Sequence, residues 1–435
     1  MSATIFAPAT ALGKAGVAII RISGAEALKA VHLMTPIQNP VPRKAVLSEI
    51  HTLDGVQIDE ALVLWFPMPN SFTGENVVEF QTHGGRAITA IMLAELAKID
   101  GFRPAERGEF TRRAVENGKM DLTAAEGLAD LIDADTEQQR RQALRQMNGA
   151  LAKIYERWHG DLKHLLAWME AYIDFPEEEI PDNVSAEVLG KIAALRNEIE
   201  KHLNDGRRGE RLRDGLQIAI IGAPNAGKSS LMNRLAQRDV AIVSSTAGTT
   251  RDIIEVRLDI NGYPVIVADT AGLRDTAEEI EAEGVRRAKA RAEEADLVLW
   301  LTDANGQKDE TETQGLEPEK IIPIMNKADQ VSAQNDGNFW ISAKTGQGLD
   351  VLLTKIGKYV EDKLSMREEP SLTRLRHRKA LEECVEFLNS SLNASEIELM
   401  TEDLRMAMRS LGKITGQVQV EELLDVIFRD FCIGK

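Results

Sequence analysis

Gly222-Ala223-Pro224-Asn225-Ala226-Gly227-Lys228-Ser229 constrains the fold of this chain more than any other segment. It follows an apolar run ending at Ile221 and precedes residues of helical character from Ser229 and Ser230 onward, so its glycines stand at a strand-to-helix turn. In that place backbone N–H groups wrap an anion, Lys228 neutralises phosphate charge and the Ser229 hydroxyl can ligate Mg²⁺. A chance Gly-rich turn would match the spacing but not the flanking strand and helix. The pattern demands a doubly wound parallel sheet around it. The text supplies one: Leu216 to Ile221, Val265 to Ala268, Leu297 to Thr302, Ile321 to Met325 and Phe339 to Ser342 are strand-like runs separated by helical stretches.

Three further motifs follow in order. Asp269-Thr270-Ala271-Gly272 comes after a strong strand, with its carboxylate near the Mg²⁺ shell and its Gly272 N–H available to a γ-phosphate. In Asn326-Lys327-Ala328-Asp329, the Asp329 carboxylate can accept from N1–H and the 2-amino group of guanine, donors that adenine lacks. Ser342-Ala343-Lys344 offers a backbone N–H toward guanine O6. The set describes a GTP site rather than an ATP site. Between the first two motifs, Ser244-Ser245-Thr246-Ala247-Gly248-Thr249-Thr250-Arg251-Asp252 stands where a first switch belongs, and Thr250 is the expected second protein ligand of Mg²⁺. Leu273 occupies the place where Ras-like GTPases carry a water-positioning glutamine, so hydrolysis needs another positioning group and another positive charge.

The rest of the chain has a different texture. Residues up to about 116 read as mixed α and β, with β-rich runs Val17 to Ile22, Ala61 to Phe66 and Val77 to Thr82 and a helix over Ala87 to Ile99. No proline occurs between residues 105 and 175. Apolar positions there recur at spacings of three or four, from Leu122 to Ile132 and from Ile154 to Ile173. A further helix is expected from Ala186 to Leu203, and helical periodicity returns after residue 366. An α/β segment is thus inserted into an all-helical one. No apolar window reaches the roughly 18 residues of a membrane span, and two cysteines, Cys384 and Cys432, cannot build a disulfide framework. A cytoplasmic protein without a membrane segment is the expectation.

Beyond these motifs the chain resembles the MnmE (TrmE) family of tRNA-modification GTPases in the TrmE-Era-Obg group. The resemblance rests on Ile20-Arg21-Ile22-Ser23-Gly24, on Pro69-Asn70-Ser71-Phe72-Thr73-Gly74-Glu75 through Glu79 to His83-Gly84-Gly85, and on Arg107-Gly108-Glu109-Phe110-Thr111 with Lys119. Asp174-Phe175-Pro176 and the terminal Phe431-Cys432-Ile433-Gly434-Lys435 complete it. It implies an α+β tetrahydrofolate-binding and dimerisation domain over 1–116, a discontinuous helical domain over 117–213 and 367–435, and a Ras-like G domain over 214–366. It also implies a homodimer that joins MnmG (GidA), which supplies FAD chemistry, in a heterotetramer. Together they would add a carboxymethylaminomethyl group at C5 of the wobble uridine of certain tRNAs, with 5-formyl- or methylene-tetrahydrofolate as carbon source.

The family answers the Leu273 problem with K⁺. By resemblance the ion is held by Asn225, Thr249 and the carbonyls of Ser244 and Thr246 and is completed as two G domains meet, while Glu281 orients the attacking water through a second water. Ser244-Ser245-Thr246 departs from the family's more frequent Thr-Asp-Ile, but carbonyl ligands do not depend on side-chain identity. The implied folate contacts are Arg21, Glu79, Lys119 and Lys435; a carboxylate suits the pterin's N–H edge and cations suit the glutamyl tail. For Cys432, nucleophilic chemistry and simple apolar packing of the tail both stand.

Two other functions share these motifs: a ribosome-assembly switch like Era, which would need an RNA-clamping KH-type domain, and a dimerisation switch without carbon transfer. Charge bears on RNA contact. The 52 Lys and Arg against 69 Asp and Glu leave a net charge of −17, unfavourable for a phosphate backbone. Locally, Arg374, Arg376, Arg378 and Lys379 form a cationic run without an acid, and Arg207, Arg208, Arg211 and Arg213 another with only Glu210. Both flank the inserted segment, so the acidic total is compatible with RNA contact at the helical domain.

Overall fold

Alternation of side chains along the first 104 residues produces a six-stranded sheet: β1 (Thr4–Pro8), β2 (Ala15–Ser23), β3 (Val46–His51), β4 (Gln57–Phe66), β5 (Val77–Gly84) and β6 (Phe102–Pro104), in the order β3-β4-β5-β2-β1-β6. All pairings are antiparallel except β1 with β6. The computed structural model describes residues 3–174, 182–238, 240–242, 255–269, 289–304, 313–331, 339–365, 369–417, 424, 427–428, 431 and 434. Compactness divides the chain into two units, one of Met1–Ala129, Tyr155–His159 and Met408–Lys435, the other of Asp130–Ile154 and Gly160–Ala407.

In the first unit, period-two alternation puts Phe6, Ile20, Ile22, Ile50, Val63, Val78 and Phe80 on one sheet face. There they close on Val31 and Met34 of helix α1 (Ala27–Met34) and Met92 and Leu96 of α2 (Arg86–Lys98). Each fully buried side chain of this size contributes about 1.5–3 kcal/mol. The opposite face receives Phe110 of α3 (Glu109–Glu116) against Ile5 and Ala7. Near the end of the sequence, Ile427, Phe428 and Phe431 pack with Leu122 and Ala125 of α4 (Leu122–Asp133). Gly434, at φ +95°, lies so close to β1 that a Cβ there would fall on the carbonyl oxygen of Pro8.

The second unit contains the doubly wound sheet, β7 (Leu216–Ile221), β8 (Glu255–Ile260), β9 (Tyr263–Asp269), β10 (Leu297–Asp303), β11 (Ile321–Asn326) and β12 (Phe339–Trp340), in the order β12-β11-β10-β7-β9-β8. Only the β8–β9 hairpin is antiparallel. The central strands β7, β10 and β11 are mostly apolar runs because both faces are covered, whereas the edge strand β8 alternates exposed and buried residues. One side meets helices of this unit through Leu231, Leu235, Leu352 and Ile356, and the other meets Ala292 and Ala295. Strand order reverses beside β7, which lies between β9 and β10, and in open α/β sheets ligands bind at that reversal, outside the carboxyl ends of the strands.

Helices α5 (Glu137–Met147), α6 (Ala150–Asp174), α7 (Asp182–Leu203) and α8 (Arg208–Asp214) lead into this sheet. α7 buries Val188, Ile192, Leu195 and Ile199, one stripe at helical spacing. Among the described residues, no helix is long and apolar enough to cross a membrane.

The two cationic runs are largely engaged with acids. They meet each other where the chain passes into and out of the α/β sheet. Arg378 is only 7% exposed. It donates to Asp205 Oδ1 (2.9 Å), Glu210 Oε1 (3.1 Å) and the carbonyl of Leu203 (2.8 Å). Arg374 pairs with Asp130 (2.6 Å), Arg213 with the same carboxylate (3.5 Å) and Arg211 with Asp296 (2.8 Å). The acids that neutralise them come from distant parts of the sequence, so the runs are largely a structural ion-pair network and not a free basic face. A Cβ on Gly209 would fall on the carbonyl oxygen of Leu372, which fixes how closely the two passages run. Arg378→Ala leaves Asp205 and Glu210 without their shared cation. The expected loss is about 3–5 kcal/mol, read as a shift of the urea-unfolding midpoint; a change below about 1 kcal/mol, the scale of exposed pairs, would contradict this role.

Candidate functional site

The turn after β7 is shaped by what its neighbours leave room for. Gly222 has φ +144° and Gly227 φ +98°; a Cβ on the first would fall on the Leu301 carbonyl oxygen and on the second against Asn326 Nδ2. Asn225, at φ +64°, is exposed, whereas Ala226 is buried. Helix α9 (Lys228–Ala236) starts directly after the turn, so its first N–H groups face the space the loop encloses. The Lys228 ammonium donates to the carbonyls of Gly222 and Ala223 (3.0 Å to the latter), holding a cation over the turn where an anion can replace those weaker acceptors. Ser229 and Ser230 lie exposed on the first turn of α9. Ile220 and Asp269 are register partners on β7 and β9, so the backbone of Asp269 reaches the same edge. A hydroxyl beside a carboxylate-bearing strand end is the oxygen donor set that Mg²⁺ prefers.

Asn326 joins this turn to the other half of the site. Its side chain, in a residue 2% exposed, donates from Nδ2 to the carbonyl of Ala226 (2.8 Å) and accepts at Oδ1 from the N–H of Ala343 (3.0 Å). Lys327, at φ +64°, pairs with Asp303 (2.5 Å). The exposed Asp329 carboxyl is held below the usual carboxylate range by a hydrogen bond from Ser342, assisted by the charge of Lys344. Ser342 Oγ also accepts from the N–H of Thr345 (3.1 Å), and Arg234 of α9 donates to the Lys344 carbonyl (2.7 Å). The site therefore brings together Asn225 to Ser230, Asn326, Lys327, Asp329 and Ser342 to Lys344. Ser244 to Thr250, Thr270 to Gly272, Leu273 and Glu281 lie outside the described residues, as do Cys432 and Lys435 and the side chain of Asp269. Of the two cysteines, Cys384 is buried, and burial pushes its thiol up to about 12, unsuited to nucleophilic chemistry.

A second cluster lies in the first unit. Arg21 on β2 stands directly across from Glu79 on β5. Its Nε donates to Glu79 Oε1 at 2.9 Å, and Nη2 lies 2.9 Å from the same oxygen in an ion pair. The guanidinium carbon lies 5.6 Å from the Phe72 ring centroid and 6.0 Å from that of Phe110. The loop carrying Phe72 is fixed by Asn117, which donates to the Thr73 carbonyl (2.7 Å), and by the exposed Lys119, which donates to that of Pro69 (3.0 Å). Beneath it Glu75 accepts from Ser23 (2.7 Å) and Arg113 (3.0 Å), and Arg113 continues to Glu109 (3.0 Å). Burial works to raise the Glu109 carboxyl, but hydrogen bonds from Arg103 and Arg113 hold it below its ordinary range. Three of the residues assigned from sequence, Arg21, Glu79 and Lys119, thus share one neighbourhood. Phe72, Phe110, Glu75 and Arg113 had no assigned role. The first three stand inside blocks that carry the family resemblance, which was the signal available for them.

Two family models match the chain: the GTP-binding protein TrmE N-terminus over residues 4–119 and the MnmE helical domain over residues 122–432. The tRNA modification GTPase MnmE of Parvibaculum lavamentivorans is 53% identical over 437 residues, covering 99% of this chain and 100% of the relative. That of Paramagnetospirillum magneticum is 50% identical over 442 residues, covering 100% of both. Among solved structures, an Era variant from Aquifex aeolicus bound to GDP and AlF4⁻ is 28% identical, covers 39% of this chain and 67% of that one, and has a TM-score of 0.27.

Asn326→Ala tests how the two loops are held. It leaves the Ala226 carbonyl and the Ala343 N–H without partners, each unmet group costing about 1–3 kcal/mol. Affinity for GTP, measured calorimetrically, is expected to fall by roughly tenfold to a hundredfold. An unchanged affinity would show that the bridge does not organise the site.

Proposed function

Because the chain belongs to the MnmE family of tRNA modification GTPases, and is therefore a GTP hydrolase acting in tRNA modification, we propose that it hydrolyses GTP in a K⁺-dependent cycle driven by G-domain association. With the flavoprotein MnmG, the cycle serves addition of a carboxymethylaminomethyl group at C5 of the wobble uridine. The observation that carries the reading is the Asn326 bridge, which ties a phosphate-binding turn to a loop bearing an ionised, exposed Asp329. One rigid frame then holds both ends of a guanine nucleotide.

The roles divide as follows. Lys228 and the N–H groups of the turn stabilise charge on the β and γ phosphates as the bond to the γ phosphate breaks. Mg²⁺ would be held by Ser229 and Thr250, with Asp269 reaching it through water, and supplies charge neutralisation between the phosphates. Asp329 selects guanine through its N1–H and 2-amino donors, while Ala343 offers its N–H to O6. Leu273 has no group to orient water, so Glu281 does so through a second water. K⁺ would be held by Asn225, Thr249 and the carbonyls of Ser244 and Thr246, and would supply the positive charge that other GTPases take from an arginine. The exposed Asn225 at a positive φ supports that assignment, since its amide is available at the phosphate turn.

Residues 1–116 serve as the folate-binding and dimerisation domain, 117–213 with 367–435 as the helical domain and 214–366 as the G domain. A homodimer is supported by the outer face of the N-terminal sheet, where Leu47 and Leu62 are register partners and remain 61% and 38% exposed. A tetrahydrofolate derivative would be held by Arg21, Glu79, Lys119 and Lys435. The packing of Gly434 on Pro8 supports the last, because Ala7 is the register partner of Arg21. Cys432 remains a proposed participant, as the terminal Phe431-Cys432-Ile433-Gly434-Lys435 resemblance suggests.

Replacing K⁺ by Na⁺ in a steady-state assay of GTP hydrolysis is expected to lower the rate by on the order of tenfold or more, since a transition-state charge partner is lost. Equal rates in the two salts would remove K⁺ from the mechanism.

A further inference from the structure

The loop that follows β12 is anchored at its base and exposed at its tip. Ile341 N–H donates to the carbonyl of Met325 on β11 (2.8 Å), and Ser342 is fully buried. From there the backbone folds back on itself. Ser342 N–H donates to the carbonyl of Gln347 (3.0 Å), Gly346 N–H to that of Ser342 (2.8 Å) and Thr345 N–H to Ser342 Oγ (3.1 Å). Lys344 and Thr345, at the far side of this turn, are exposed. A turn fixed only at its base can tilt about it, so the placing of its tip calls for a contact from outside.

Arg234 of α9 makes that contact. Its Nη2 donates to the Lys344 carbonyl at 2.7 Å. Gly346, at φ +90°, lies against the guanidinium, where a Cβ would stand 3.6 Å from Nη2. Nε of the same side chain is buried without a hydrogen-bond partner among the described residues. A surface arginine avoids leaving a buried donor unmet by turning its head to water; this one stays against the turn. Just past the end of α9, Arg238 pairs with Asp350 in the first turn of the helix Leu349–Leu364. The two arginines thus tie the segment from Lys344 to Asp350 at both ends to the helix that begins at the phosphate turn.

The two ends of the loop face different parts of a guanine. Asp329, which reads the N1–H and 2-amino donors, is hydrogen-bonded by Ser342 at the fixed base. The backbone N–H directed to O6 comes from the stretch leading to the tip. We propose that Arg234 is a positioning residue for guanine discrimination: by holding the Lys344 carbonyl it fixes the backbone donor of this loop against O6, and it leaves recognition of the 2-amino edge to Asp329. The inference rests on the guanine-nucleotide reading given above.

The test uses the full-length chain and three ligands, GDP, 6-thio-GDP and IDP, with affinities measured by calorimetry for the wild type, Arg234→Ala and Arg234→Met. 6-Thio-GDP keeps both donors for Asp329 but offers sulfur, a weak acceptor, in place of O6, whereas IDP keeps O6 and lacks the 2-amino group. A site built to pair a polar group rejects the analogue without it, because its own partner is left unmet. The expected result is that both substitutions weaken GDP on the order of tenfold and 6-thio-GDP much less, so that the preference between these two nearly disappears while the preference for GDP over IDP is kept. Methionine retains the apolar stem against Gly346 but no donor, so it is expected to behave like alanine. Equal loss for all three ligands, unchanged affinity for GDP, or recovery of the preference by methionine would overturn the proposal. If Arg234→Ala does not fold, as judged by its circular dichroism, Arg234→Met decides alone. Equal affinity of the wild type for GDP and 6-thio-GDP would instead refute the reading of this loop as the O6 contact.

Discussion

The side chain of one buried asparagine sets the geometry on which the rest of the second unit depends. Asn326 ends β11 and spends its amide on two loops, the turn at Ala226 and the loop at Ala343. Its position forbids a side chain at Gly227, and the neighbouring strand forbids one at Gly222. The parallel order β11-β10-β7 brings these carboxyl ends side by side, with the reversal of strand order beside β7. The glycines, the asparagine and the strand order are therefore one arrangement, in which changing any member displaces the others.

The turn after β7 and the Asn326 loop are legible in the sequence because their pattern is local. Backbone N–H groups, a lysine and a carboxylate stand at fixed offsets where β7 leads into α9, and β7, β10 and β11 are mostly apolar since both faces are largely buried. The first unit was harder to read. Its strands β1, β3 and β6 are short, and β3 alternates exposed and buried residues so that its apolar content is diluted. Helices α3 and α5 are weakly marked in the sequence for a related reason: α3 buries Glu109 and Arg113 as partners, and α5 is built from Gln, Arg and Glu with few apolar positions. A hydrophobic period cannot reveal a helix fixed by ion pairs and caps.

Charge illustrates the same limit. Sequence shows that Arg374, Arg378, Arg211 and Arg213 are cations, but their acids, Asp130, Asp205 and Asp296, lie far away along the chain. Counting charge within a window could only suggest a basic surface. In the fold the same residues bind the two passages of the chain into one joint. Arg21 and Glu79 follow that pattern on a smaller scale, since two residues assigned separately to a ligand turn out to satisfy one another across adjacent strands.

The central claim is that a GTP-hydrolysing frame in this chain serves modification of tRNA, and mass spectrometry of wobble uridines tests it most directly. Transfer RNA from cells lacking this chain, complemented with either the intact chain or a Lys228→Ala variant, would be digested to nucleosides. The account predicts that the carboxymethylaminomethyl group at C5 disappears without the chain, returns with the intact chain and does not return with the variant. Unchanged wobble uridines in cells lacking the chain would contradict it.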